Sequence, residues 1–205
     1  MSAFQQARFL LSAAKVGEFP PEAGPELAFA GRSNVGKSSA INALAGRRRL
    51  AFSSKTPGRT QTINFFALGN AGRLADLPGY GYASVPRALR ASWDALIGEY
   101  FLGRRTLAGV VLLMDARHPL ASNDRHFLEW LRPAGAPLLV LLSKSDKLTR
   151  AERARTLGAT RLALDAMALA AQVQLLSSAS GEGVPEARAL LEGWLANKKP
   201  PEKGN

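Results

Sequence analysis

The stretch GRSNVGKSS, residues 31–39, constrains this chain more than any other part of its sequence. It fits the pattern G-x-x-x-x-G-K-[ST], with Gly31, Gly36, Lys37 and Ser38 at the fixed positions. The apolar residues 27–30 before it predict a strand, and the SSAINALAG segment predicts a helix after it. The backbone N–H groups of such a loop, together with the positive end of the helix, bind phosphate oxygens. The stretch therefore predicts a phosphate-binding loop rather than an ordinary glycine-rich turn.

The rest of the chain predicts an alternation of strands and helices. We expect strands at 26–30, 63–68, 73–76, 107–114, 138–142 and 172–176, and helices after the loop and at 86–102, 121–132, 149–170 and 184–196. A hairpin turn at 69–72 would make one edge strand antiparallel. The prediction is an α/β fold of three layers, with a mostly parallel, six-stranded sheet. Trp93 and Tyr100 lie at helical spacing and are expected in the core.

Prolines and charge divide the chain into three parts. Pro20, Pro21 and Pro25 separate an N-terminal extension, residues 1–24, which we expect to pack on the domain edge or stay mobile. Residues 25–197 form the predicted domain. The tail, residues 198–205, is basic and is expected to be disordered.

Composition limits the classes of partner and site. The formal net charge is +11 and the sequence pI is about 10.7, which favours RNA, DNA or an acidic membrane surface as a partner, although a merely solvated basic surface stays possible. The absence of cysteine excludes disulfides and thiolate metal sites. No apolar run reaches the roughly 20 residues of a membrane span. The N-terminus makes a poor secretory signal, and a cytoplasmic location is compatible with all of this.

Two further motifs follow predicted strands. In DLPG, the Asp76 carboxylate can hold Mg²⁺, usually through water, opposite Ser38, and the N–H of Gly79 can approach a terminal phosphate. In SKSD, the carboxylate of Asp146 can accept the adjacent N–H donors of guanine, while the stem of Lys144 can cover the face of the base with its charge in water. Ser177, Ser178 and Ala179 follow the last strand and could offer a backbone N–H to the guanine carbonyl. The alternative for SKSD is a helix start capped by Ser145 or Asp146.

The residues together resemble a known family. GRSNVGKSS, TPGRTQTINFF, DLPGYGYA, SKSD and SSAS, in this order and spacing, are similar to the translation-factor-related (TRAFAC) GTPases, and more narrowly to the EngB family, also called YihA or YsxC. The similarity runs from about Phe9 to Trp194. It implies a Ras-like P-loop GTPase domain that binds GTP or GDP with Mg²⁺ and hydrolyses GTP slowly. It also implies association with the large ribosomal subunit or its precursor, a role in cell division and septation, and no membrane partner; we expect a monomer.

The resemblance assigns roles by position. The phosphate loop comprises Gly31, Arg32, Ser33, Asn34, Val35, Gly36, Lys37 and Ser38. The first switch comprises Gly58, Arg59, Thr60, Gln61 and Thr62, and the second begins at Asp76, Leu77, Pro78 and Gly79. The guanine site comprises Ser143, Lys144, Ser145, Asp146, Leu176, Ser177 and Ser178. The metal ligands are Ser38, Thr60 and Asp76, and the catalytic groups are Lys37, Thr60 and Gly79.

Three positions carry separate expectations. Ser143 stands where the family usually has Thr or Asn, which predicts a modest change in how that loop is braced. Tyr80 holds the place of the water-orienting glutamine of Ras-like enzymes, so slow turnover is expected. Asn34 is a candidate K⁺ ligand, because related GTPases with Asn at this position use it so.

The expected RNA-facing groups are basic side chains outside these motifs: Arg47, Arg48, Arg49, Lys55, Arg59, Arg104, Arg105 and the tail lysines. The alternatives are a signalling or membrane-surface GTPase without a ribosomal partner, and an ATP-dependent kinase of small molecules. SKSD argues against the kinase.

Overall fold

The computed structural model describes residues 1–52, 62–81 and 87–198, without the side chains of residues 87–93. Within these ranges there are seven strands: β1 Ala7–Ala13, β2 Glu26–Gly31, β3 Ile63–Leu68, β4 Arg73–Asp76, β5 Leu107–Asp115, β6 Leu138–Ser143 and β7 Ala171–Leu175. The same ranges hold five α-helices: α1 Lys37–Ala45, α2 Arg87–Gly103, α3 Ser122–Leu131, α4 Arg150–Ala166 and α5 Val184–Asn197. No helix in these ranges combines the length and the apolar composition that crossing a bilayer requires.

All seven strands form one sheet in the order β1-β3-β4-β2-β5-β6-β7. Strands β4, β2, β5, β6 and β7 are mutually parallel, and β3 runs antiparallel to both of its neighbours. Helices α1 and α5 pack on one face, whereas α2, α3 and α4 pack on the other. Strands β5 and β6 are buried along their whole length, as their continuous apolar runs predict. The three-layer, mostly parallel α/β architecture is therefore confirmed.

The expected count of six strands was wrong, because β1 adds a seventh at the edge. It pairs with β3 from Ala7 opposite Leu68 to Ala13 opposite Ile63, so the antiparallel strand is second from the edge. An irregularity between Phe9 and Leu11 shifts the register. Such a shift breaks the alternation of apolar and polar residues by which a strand is recognised. Of the two states expected for residues 1–24, packing against the domain edge is the one observed for this strand.

A buried polar cluster lies at the start of β2. Arg104 donates to both carboxylate oxygens of Glu26, from Nε at 3.0 Å and from Nη2 at 2.6 Å, and the hydroxyl of Tyr100 donates to the same carboxylate at 2.8 Å. All three side chains are buried, so Tyr100 lies in the core as predicted. The expectation that Arg104 faces RNA was wrong, because its charge is already neutralised by Glu26. The side chain of Trp93 lies outside the described part of the chain.

Candidate nucleotide-binding site

The phosphate loop joins the end of β2 to the start of α1, as the sequence predicts. Gly36 has a φ of 100°, in the left-handed region that favours glycine, and α1 begins at the next residue. The side chain of Val35 is buried, and a Cβ on Gly31 would lie 2.9 Å from the carbonyl oxygen of Leu113. The loop is therefore fixed against the core on one side, while Asn34 is exposed on the other.

Lys37 and Asp76 meet at the carboxyl ends of the parallel strands. Asp76 ends β4 opposite Phe29 of β2, and its Oδ1 accepts a hydrogen bond from Nζ of Lys37. Ser38 follows Lys37 in the first turn of α1. Lys37 and Asp76 are thus in direct contact, while the roles of all three residues towards phosphate and metal remain predictions.

The segment after Asp76 runs along the phosphate loop. The N–H of Leu77 donates to the carbonyl of Phe29 at 2.9 Å, and the N–H of Ser33 donates to the carbonyl of Tyr80 at 2.9 Å. A Cβ on Gly79 would lie 3.2 Å from the backbone nitrogen of Ser33, so a larger residue would separate the two segments. The close approach at Gly79 and the hydrogen bond at Tyr80 hold this segment against the phosphate loop.

Tyr80 turns its side chain into the core. Its hydroxyl donates to Oδ1 of Asp124 in α3 at 2.8 Å, and its ring stacks on Phe127 with centroids 4.8 Å apart. Burial raises the pKa of Tyr80 far above its ordinary value, so the phenol stays protonated. The sequence predicted only that Tyr80 replaces a glutamine; Asp124, its partner, was not among the predicted residues.

The loop after β6 braces the phosphate loop. The hydroxyl of Ser143 donates to the carbonyl of Val35 at 2.7 Å. Nζ of Lys144 donates to the carbonyl of Asn34 and to Oδ2 of Asp115, both at 3.0 Å. The ammonium of Lys144 therefore links the phosphate loop to β5 while its side chain stays 34% exposed, and its expected contact with a base remains a prediction.

The two loops of the predicted guanine site also contact each other. Oδ1 of Asp146 accepts a hydrogen bond from the hydroxyl of Ser177 at 2.8 Å, which lowers the pKa of Asp146. The N–H of Ser145 donates to the carbonyl of Leu176 at 3.2 Å. The N–H of Ser177 already donates to Glu182, so the exposed Ser178 and the residue after it remain the candidates for a base contact.

The capping alternative for SKSD was wrong. Helix α4 is capped by Thr149, whose hydroxyl accepts a hydrogen bond from the N–H of Glu152 at 3.3 Å. Neither Ser145 nor Asp146 caps it, so the carboxylate of Asp146 is held by Ser177 at the site instead.

Asp115, at the end of β5, is a site residue that the sequence did not indicate. It lies between Arg117, whose Nη2 donates to it at 2.7 Å, and Lys144. The Arg117 guanidinium first, and then the Lys144 ammonium, hold the pKa of Asp115 well below its usual range. Its place at the carboxyl end of a buried parallel strand was the one signal in the sequence.

Part of the first switch lies outside the described residues. Gly58, Arg59, Thr60 and Gln61 belong to that part, so their roles in the site remain predictions. Thr62 is described and half-buried, and its hydroxyl lies 3.5 Å from Oδ1 of Asn64.

The sequence of this chain is similar to those of known GTP-binding proteins. The family model described as "50S ribosome-binding GTPase" matches residues 26–144. A protein from Aromatoleum aromaticum named "Probable GTP-binding protein EngB" is 52% identical over 195 residues, covering 95% of this chain and 90% of that protein. A relative of the same name from Dechloromonas aromatica is 48% identical and covers 100% of this chain and 97% of its own. The chain belongs to the EngB family.

Solved structures agree with the fold. The crystal structure of a probable GTP-binding protein EngB superposes with a TM-score of 0.67 at 21% identity, covering 83% of this chain and 98% of that one. The structure of Era in complex with MgGDPNP and a segment of 16S ribosomal RNA superposes with a TM-score of 0.65 at 19% identity, covering 88% and 58%. As a member of the EngB family the chain binds GTP and GDP and is a GTPase, which hydrolyses GTP to GDP and phosphate.

Proposed function

We propose that this EngB-family GTPase is a switch in the assembly of the large ribosomal subunit, acting as a monomer in the cytoplasm, and that normal cell division and septation require it. The observation that carries the proposal is the convergence of the phosphate loop, the Asp76–Gly79 segment and the two base-site loops at one edge of the sheet. The matching family model is described as a 50S ribosome-binding GTPase, which supports the large ribosomal subunit as the partner.

In the proposed cycle each segment has one task. Lys37 binds the outer phosphates, and Asp146 accepts two hydrogen bonds from guanine. The N–H of Gly79 binds the terminal phosphate of GTP, which GDP lacks. Loss of that phosphate releases the segment after Gly79 and the first switch at Thr60, and so changes the surface offered to the partner.

The donor set suits Mg²⁺. The hydroxyl of Ser38 and the carboxylate of Asp76 are hard oxygen ligands, and Thr60 is proposed to add a third. Mg²⁺ bound there neutralises charge on the phosphate oxygens. In the described ranges no three His, Asp or Glu side chains cluster as a metal site, which accords with a cation held largely by hydroxyls, water and phosphate.

We expect slow hydrolysis, because the side chain after Gly79 cannot orient water. The Tyr80 ring is stacked in the core and its hydroxyl is bonded to Asp124, which supports this expectation. Potassium at Asn34 is proposed to supply charge instead. The carbonyl of Asn34 is held by Lys144 while its side chain is exposed. Single-turnover hydrolysis should then be faster in KCl than in NaCl; equal rates, with and without ribosomal subunits, would contradict the K⁺ site.

The proposed partner surface is basic and follows α1 in the chain. Arg47, Arg48 and Arg49 are exposed, and Phe52, three residues further on, is 74% exposed. The side chain of Asn42 accepts from the N–H groups of Leu50 and Ala51 at 2.9 and 2.8 Å and thereby fixes this loop on α1. Exposed arginines beside an exposed aromatic ring suit contact with ribosomal RNA.

Sedimentation through sucrose gradients tests the ribosomal role. The protein is mixed with purified large and small subunits in the presence of GDP or of a non-hydrolysable GTP analogue. We expect the protein to cosediment with the large subunit in the presence of the GTP analogue, and much less of it to do so in the presence of GDP. A signalling GTPase without a ribosomal partner would stay at the top of the gradient in both nucleotides.

A further inference from the structure

Asp124 is a fully buried carboxylate in the first turn of α3. Its Oδ1 accepts a hydrogen bond from the hydroxyl of Tyr80 at 2.8 Å, and the same oxygen lies 3.2 Å from Nε of Arg32. Its Oδ2 accepts from the N–H of Ala121 at 3.1 Å. The contact with Arg32 is an ion pair by distance rather than an aligned hydrogen bond. One side chain thus contacts two parts of the site that are far apart in the sequence.

These two partners adjoin the two segments that contact phosphate. Arg32 follows Gly31 in the phosphate loop, and Tyr80 follows Gly79. The segments are also joined directly, because the N–H of Tyr80 donates to the carbonyl of Gly31 at 3.3 Å. Nη2 of Arg32 donates to the carbonyl of His118 at 2.9 Å, which ties the phosphate loop a second time to the chain leading into α3.

The surroundings of Asp124 make its partners energetically important. Burial raises the pKa of its carboxyl, and the Tyr80 hydroxyl and the Arg32 charge oppose that effect. A buried carboxylate that loses such partners is costly, so the group favours the arrangement in which both are in place. Movement of Tyr80 would move Gly79, its immediate neighbour in the chain.

We propose that Asp124 is a positioning residue of the GTPase: through Tyr80 and Arg32 it fixes Gly79 against the phosphate loop and so sets the ratio of GTP affinity to GDP affinity. The proposal rests on GTP binding and not on the ribosomal partner. Asp124 itself touches neither nucleotide nor reacting atoms, and it acts through the two residues that it holds.

The chain contains a matched control for this network. Glu26 is also a fully buried carboxylate that accepts from a tyrosine hydroxyl at 2.8 Å and pairs with an arginine. It lies at the opposite end of β2 from the phosphate loop. Tyr100→Phe and Glu26→Gln therefore remove the same groups as Tyr80→Phe and Asp124→Asn, but remote from the nucleotide.

The experiment compares these four variants with the wild type. Dissociation constants are measured for a fluorescent GDP and for a fluorescent non-hydrolysable GTP analogue, with single-turnover hydrolysis rates and the midpoints of thermal unfolding. We expect Tyr80→Phe to lower the ratio of GTP-analogue affinity to GDP affinity by about fivefold, the effect of one buried hydrogen bond, and Asp124→Asn to lower it at least as much. Hydrolysis should slow in both, while Tyr100→Phe and Glu26→Gln keep the wild-type ratio and rate.

A purely structural role gives a different pattern. If all four variants lose thermal stability and the affinity ratio is unchanged in Tyr80→Phe and Asp124→Asn, the proposal is wrong. If Asp124→Asn does not fold, the comparison of Tyr80→Phe with Tyr100→Phe decides, because each removes a single oxygen and keeps its ring. Failure of the wild type to bind either nucleotide would instead contradict GTP binding itself.

Discussion

Asp146 is the residue on which we propose that the choice of base depends. Its carboxylate is fixed by Ser177 at 2.8 Å and can accept the paired donors of guanine N1 and N2. Asp146→Asn replaces one acceptor with a donor, which suits the carbonyl that xanthine carries in place of the guanine amino group. We expect GDP affinity to fall roughly tenfold to a hundredfold, the worth of hydrogen bonds to a charged group, and XDP affinity to rise. Competition binding with GDP and XDP measures both.

Asp165→Asn serves as the control for this change, because Asp165 is exposed on α4. It should leave both affinities at their wild-type values. If Asp146→Asn keeps the wild-type preference for guanine, the assignment of the base site to this loop is wrong.

The ion pairs of Asp115 should make a pH-dependent contribution to the free energy of unfolding. Arg117 and Lys144 lower the pKa of Asp115 in the folded protein from its ordinary value of 3.8. The ionised carboxylate therefore contributes its full share of the unfolding free energy above that value. This contribution is lost as the pH falls towards the lower folded pKa. Asp115→Asn should cost about 1 kcal/mol at pH 7, a figure reduced for partial exposure. The difference from the wild type should shrink as the pH falls below about 4. Urea unfolding at each pH measures it, and a gap that widens in acid would contradict the ion pairs.

The sequence predicted site residues whose neighbours are local and missed those whose neighbours are distant. Lys37, Asp76 and Asp146 belong to short motifs with fixed spacing, so their roles follow from the order of residues. The partners of Asp115 and Asp124 include Lys144, 29 residues away, and Tyr80, 44 residues away. These two contacts arise only when strands and helices pack together. Asp115 also pairs with Arg117, two residues away, but that contact alone does not place it at the site.

At the scale of elements, the N-terminal segment shows where sequence patterns fail. The long buried strands β5 and β6 were predicted because residues 107–114 and 138–142 are unbroken apolar runs, and the structure buries all of these residues. Strand β1 was missed, since its register shift puts Phe9, Leu10 and Leu11 in succession without a period of two. Its partner β3 supplies the pairing that the sequence of β1 alone does not reveal.

Phe4 anchors this segment to the domain. It is fully buried in the cluster formed by α1, α5 and the sheet, whereas Phe9 is 55% exposed and meets Phe66 edge-on, 5.8 Å between centroids. We expect Phe4→Ala to cost about 3–5 kcal/mol of unfolding free energy and Phe9→Ala about 1 kcal/mol. Nucleotide affinity should change in neither, because Phe4 precedes the Ala7–Leu68 end of the β1–β3 pair and Phe9 lies opposite Phe66, whereas Asp76 lies opposite Asn64. Urea unfolding measures the difference; equal losses would contradict the anchoring role of Phe4.

At the scale of the whole molecule, topology assembles the site. Four motifs begin at the ends of the parallel strands β2, β4, β6 and β7, at residues 31, 76, 143 and 176. All four therefore lie at the carboxyl ends of the parallel strands. This convergence was predictable from the alternation of strands and helices alone. The distribution of charge was not, since a net charge of +11 does not reveal that Arg104 is buried against Glu26 or that Arg105 pairs with Glu22.

The basic segment that follows α1 is where we expect the positive charge to act. Arg48 and Arg49 are exposed there, and Arg150 and Arg155 are equally exposed on α4 and provide a matched pair of the same charge. If Arg48 and Arg49 each neutralise one phosphate of unpaired RNA, the double change to Gln should reduce the slope of log affinity against log salt by about 1.4. The affinity for large ribosomal subunits is measured in the presence of the GTP analogue at increasing concentrations of KCl. Arg150→Gln with Arg155→Gln should keep the wild-type slope, because α4 lies on the opposite face of the sheet from α1. Equal reductions in the two double variants would mean that net charge attracts the protein to RNA without a specific surface.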